Sequence, residues 1–104
     1  MQKGEEILDF LRNHKHDLEN LYSVRHIGLF GSVLRGTAGE GSDVDILVEL
    51  AHPTFDHSMD LKFFLEDSLG RPVDLVLADS LKPRLKPLIA REVVYVSRFP
   101  ALSR

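Results

Sequence analysis

The segment SDVDILVEL, residues 42 to 50, constrains this chain more than any other. Side chains along a strand alternate between faces. Asp43, Asp45, Leu47 and Glu49 therefore share one side, and Val44, Ile46, Val48 and Leu50 the other. Apolar residues on both sides predict a strand in the middle of a sheet. Aspartate is unfavourable in strands, and two ionised carboxylates at i and i+2 on one face repel. That local choice costs free energy unless something offsets it. A divalent cation between the carboxylates would do so. Mg²⁺ prefers carboxylate and phosphate oxygens and is commonly shared between a protein and its substrate's phosphates.

The rest of the chain supplies a frame for such a strand. Apolar residues at helical spacing (Ile7, Leu8, Leu11, Leu18, Leu21, Tyr22) predict one amphipathic helix over residues 4 to 22, with His14 and His16 on its surface. Arg25 to Phe30 reads as a strand ended by Gly31. Ser32 to Arg35 can start a short helix with Ser32 near its N-cap, and GTAGEGS at 36–42 is loop by composition. A connector with Pro53 leads to a second helix over 57–69, with Leu61, Phe64, Leu65 and Leu69 on one stripe and Gly70 as its stop. Pro72 opens a strand, RPVDLVLA. A last helix is expected over 81–91, with Pro87 awkwardly inside it, and Val93 to Val96 can add a small strand. The order predicts an α/β or α+β sandwich: a small mixed sheet flanked by helices.

With 104 residues the chain suggests one domain, expected over 1–97 with a short tail at 98–104. No apolar stretch approaches the roughly 20 residues of a membrane-spanning helix. The N-terminus lacks the pattern of a secretory leader. The absence of cysteine excludes a disulfide framework and cysteine-rich zinc sites. Together these point to a cytoplasmic protein. Charge is uneven: residues 82–104 hold six basic side chains against one acid, Glu92, whereas residues 1–81 hold seven basic against fifteen acidic. An acidic body is a poor surface for a long phosphate backbone, so nucleic acid is disfavoured as a partner.

A third acid, Asp74, lies near the start of PVDLVL. If the two strands lie side by side, Asp74 faces Asp43 and Asp45. Three convergent carboxylates can hold two metal ions about 3.5–4 Å apart, the arrangement of two-metal nucleotidyl transfer. Gly31 and Ser32 follow a strand and open a turn whose N–H groups and hydroxyl suit phosphate oxygens; taken alone, the pair reads better as a strand-to-helix cap. Arg35 can reach a phosphate or pair with a carboxylate. No P-loop, dinucleotide fingerprint or EF-hand pattern is present.

Taken together, GSVLRG at 31–36 and SDVDILV at 42–48, with eleven positions between Ser32 and Asp43, resemble the G-S-x-x-x-G…[ST]-D-x-D signature of the polymerase-β-like nucleotidyltransferases. The chain is most similar to the minimal nucleotidyltransferases, the MNT family, and the resemblance spans about residue 5 to residue 96. It implies a mixed sheet flanked by helices, Mg²⁺ dependence with two ions, and ATP as nucleoside triphosphate donor. By the matching positions, Gly31 and Ser32, with Arg35, would bind the donor phosphates. Asp43, Asp45 and Asp74 would ligate metal, and Asp74 would help deprotonate the acceptor hydroxyl. The resemblance further implies an antitoxin that transfers AMP to a tyrosine of a HEPN-domain toxin. Two alternatives stand beside it: a non-catalytic subunit that neutralises its partner by contact, and a small-molecule or antibiotic nucleotidyltransferase. The sheet edge and the apolar Phe99 and Leu102 are candidate docking elements, and a homo-oligomer is left open.

Overall fold

The structure, a computed structural model, describes residues 4–37, 42–52 and 54–96. The elements run α1 (Gly4–Asn13), α2 (Lys15–Tyr22), β1 (Val24–Phe30), α3 (Gly31–Arg35), β2 (Val44–Leu50), α4 (Phe55–Leu69), β3 (Val73–Leu77), a 3₁₀ turn (Ala78–Ser80), α5 (Lys86–Glu92) and β4 (Val94–Tyr95). The strands form one mixed sheet in the order β3-β2-β1-β4. β1 lies antiparallel to both β2 and β4, while β2 and β3 run parallel, joined by α4. The doubly apolar strand is central, as its sequence requires.

Alternation along β2 divides the molecule into two faces. Val44, Ile46 and Val48 are fully buried and join Ile7, Leu11, Leu18, Leu61 and Leu65 in the main core. Helices α1, α2 and α4 therefore cover this face. Asp45, Leu47 and Glu49 turn to the other, which is bordered by α5 and the 3₁₀ turn. Helix α4 begins where Thr54 accepts the His57 N–H at 3.1 Å, two residues earlier than the apolar stripe predicts. Gly70 follows its last residue, as expected.

Three expectations are corrected. The first helix is two, because the chain turns at His14 (φ −109°, ψ 19°). His14 is not a plain surface histidine: its ring lies 4.2 Å from Phe10 and 5.8 Å from Phe64, with Nδ1 at 2.9 Å from the Phe10 carbonyl. The turn changes the helical phase, so Leu18 stays buried while Leu21, predicted on the same stripe, is 63% exposed. Helix α5 starts at Lys86 rather than 81. This puts Pro87 in the first turn, where its missing N–H breaks no helical bond and its fixed φ suits the helix. Loop residues 38–41, Pro53 and the tail with Phe99 and Leu102 lie outside the described residues.

Leu61 is fully buried on α4 against the β2 face. Leu61→Ala is expected to cost about 2–5 kcal/mol, as for other buried leucine truncations, read from the urea midpoint. A loss under about 1 kcal/mol would mean that the core is not centred there.

Candidate active site

β2 and β3 pair in register, with Asp45 directly opposite Asp74. In a parallel pair, residues in register point to the same face, and the two carboxyls come within hydrogen-bonding reach of each other. Burial pushes the Asp45 carboxyl up from its ordinary value. The negative charges of Asp74 and Asp43 push it further, against the opposing pull of Arg35. The expected meeting of Asp45 and Asp74 is thus present. Asp43 precedes the first paired residue of β2, so strand alternation does not dictate where its side chain points. Among the described residues, no three His, Cys, Asp or Glu side chains are gathered closely enough to hold a metal ion as they stand. The three-acid cluster expected from the sequence is therefore a formed pair plus a nearby charge. The donor chemistry still fits a hard cation: the ligands on offer are carboxylate oxygens, and the repulsion bearing on Asp45 is what a divalent ion relieves.

On its other side Asp45 pairs with Phe30, the last residue of β1. The next residue, Gly31, lies against the aspartate itself. A β-carbon at Gly31 would run into Asp45 Oδ2, and the φ of Gly31, +83°, is a conformation that L side chains rarely adopt. Gly31 is the first residue of α3, not the residue before it. Phe30 occupies the N-cap without a side-chain bond, so the predicted Ser32 cap is not formed. Ser32 lies half-buried inside this short turn, and its carbonyl accepts the Thr37 N–H at 3.0 Å.

The Gly31 N–H donates to Glu92 Oε2 at 2.7 Å, and Arg35 Nη1 donates to Glu92 Oε1. Of the two readings of Arg35, the carboxylate pair is the one observed. Glu92 did not emerge as a site residue from the sequence. The available signal was its isolation as the one acid among the six basic side chains of residues 82–104. Its position follows from sheet register: Leu29 pairs with Val94, and continuing that antiparallel ladder by two places brings residue 92 opposite residue 31. The Gly31 N–H, opposed by burial and aided by the Arg35 guanidinium, holds the Glu92 carboxyl below its ordinary value. Arg71 was also missed. Its Nη2 donates to the Ser42 carbonyl at 2.9 Å, and the Val44 N–H donates to the Pro72 carbonyl at 2.9 Å, so the approach to β2 is tied to the approach to β3. Further along the same face of β2, a cleft of about 250 Å³ is lined by Leu47, Glu49, Lys86, Ile89 and Tyr95 among others.

The family model for the nucleotidyltransferase domain matches residues 11–96. The protein adenylyltransferase MntA of Thermococcus cleftensis is 47% identical over 93 residues, which cover 88% of this chain and 94% of that protein. Among solved structures, one provisionally described as a minimal nucleotidyltransferase superposes with a TM-score of 0.73 at 36% identity, covering 89% of this chain and 95% of that one. A toxin–antitoxin structure with AMP-PNP superposes with a TM-score of 0.67 at 27% identity, covering 82% of this chain and 71% of that one.

Two measurements test this geometry. Gly31→Ala is expected to lose about 1–3 kcal/mol to backbone strain alone, with a further loss from the displaced Asp45 carboxylate; a variant as stable as the parent would contradict the contact. Glu92 carries a lowered pKa, so its contribution to stability is present above the ordinary 4.5 and lost as pH falls through the lowered value. Glu92→Gln should therefore unfold earlier than the parent at pH 7, with the gap closing in increasingly acid buffer. A gap that does not change with pH would rule out the ionised pairing.

Proposed function

This chain belongs to the nucleotidyltransferase domain family, and on that premise we propose that it transfers AMP from ATP to a hydroxyl, a tyrosine side chain of a HEPN-type toxin partner, and so acts as an antitoxin. The observation that carries this reading is the Asp45–Asp74 pair across β2 and β3, with the Gly31 turn packed against Asp45. The donor class is supported by the toxin–antitoxin relative with AMP-PNP, an ATP analogue. The acceptor class is supported by the relative's description as a protein adenylyltransferase.

In this reading Asp43, Asp45 and Asp74 would hold Mg²⁺. The ion, when bound, supplies positive charge to the triphosphate and to the acceptor oxygen. The chain's own residues do the rest. Gly31 and Ser32 receive phosphate oxygens on a backbone N–H and a hydroxyl, and Arg35 adds a guanidinium suited to paired oxygens. The acceptor oxygen attacks the α-phosphorus, the bond from that phosphorus to the bridging oxygen breaks, and pyrophosphate leaves. The hydroxyl proton passes to the carboxylate of Asp74. Asp74 is more exposed than Asp45, so it is the better placed of the two to meet an incoming side chain. Asp45 stays fixed by its neighbours on both strands.

Incubation of the full chain with its toxin partner, labelled ATP and Mg²⁺ should label the partner, and chelation should stop it. Asp45→Asn is expected to reduce labelling by about a hundredfold or more. The metal-free variant should be no less stable than the parent, because the substitution removes a like-charge repulsion. Labelling that survives in Asp45→Asn would sink the mechanism. Labelling of the toxin at a residue other than tyrosine would sink the acceptor.

A further inference from the structure

We propose that Glu92 is an internal competitor for the donor's phosphates: its carboxylate occupies the Gly31–Arg35 turn, must withdraw for the nucleotide to bind, and thereby sets the donor affinity. The inference rests on the reading that Gly31 and Arg35 take donor phosphates.

A carboxylate and a phosphate present the same chemistry to a protein, anionic oxygens that accept hydrogen bonds. Glu92 uses both of its oxygens here, one on the Gly31 N–H and one on Arg35. A backbone N–H can be donated in full to one acceptor only, so a phosphate oxygen on Gly31 displaces Glu92 Oε2. Charge adds to the exclusion. With Glu92 in place the guanidinium is neutralised, and Asp43, Asp45 and Asp74 dominate the local field. A polyphosphate then approaches a net negative site, and Glu92 would stand beside it as a further like charge.

The surroundings permit withdrawal. The Glu92 side chain is 28% exposed and Arg35 53% exposed, so a path to water is open to both. Glu92 is the last residue of α5, a helix with no buried residue. Beyond it the chain is held again at Val96, which is buried and whose N–H donates to the Ile27 carbonyl at 2.9 Å. The segment can thus loosen between fixed points without unravelling the sheet. Aiming Arg35 for catalysis is the rival role for this glutamate, but that role leaves unexplained why the carboxylate also takes the Gly31 N–H.

Calorimetric titration of the full chain with ATP and Mg²⁺, and separately with inorganic pyrophosphate, tests this. Glu92→Gln should bind both about tenfold more tightly, the scale of one charge-assisted hydrogen bond released. Arg35→Met should weaken binding and shrink that gain. Equal or weaker binding by Glu92→Gln would overturn the proposal and favour the aiming role. Failure of the parent and the variant alike to bind ATP would overturn it differently, by removing the nucleotide site itself. Should Glu92→Gln not fold, amide exchange on the parent decides. Added ATP should speed exchange in α5, and greater or unchanged protection there would overturn the proposal.

Discussion

The in-register pairing of Asp45 with Asp74 is the constraint around which the other features of the site are arranged. Two carboxylates about 4 Å apart repel by up to about 4 kcal/mol at an effective dielectric near 20, before solvent screening reduces it. Fully burying a leucine or isoleucine contributes about 1.5–3 kcal/mol. The repulsion is therefore within what one or two core side chains offset, and β2 alone buries Val44, Ile46, Val48 and Leu50 on the opposite face. The same residue alternation that directs two acids outward drives the neighbouring apolar residues into the core. The fold can thus hold an unfavourable charge pair in a fixed place, and a site that is costly when empty favours a cation when one is available.

Much of this was legible because β2 and β3 carry their information locally. Apolar residues on both sides of DVDILVEL meant a central strand, and β2 has a neighbour on each side. The short run PVDLVL placed Asp74 near a strand start, and parallel pairing did the rest. Features that depend on phase or long-range register were not legible. The turn at His14 interrupts a helical pattern that reads as continuous, because Leu18 fits either phase and only Leu21 reveals the change. Asp43 looked equivalent to Asp45 by spacing, but it lies one residue outside the ladder. Glu92 reaches Gly31 across 61 positions of sequence. Nothing in the local composition around residue 92 announces an ordering of β1 and β4 that brings the two together.

The main core and the Asp45–Asp74 pair lie on different faces of one sheet. Helices α1, α2 and α4 pack on the Val44–Ile46–Val48 side, where the fully buried side chains collect. The acidic side is covered by α5, which buries none of its residues and exposes Leu88 to 59%. Regions with few buried contacts open at lower free energy than the core. A helix laid over the acidic face with so little burial is therefore free to shift at a cost that leaves the core intact. Glu92 attaches it to the rest of the fold through the Gly31 N–H and the Arg35 guanidinium. On the proposed reading, a triphosphate entering the site would act on α5 through that contact. Donor occupancy would then be felt at the exposed surface of α5 without any change in the main core.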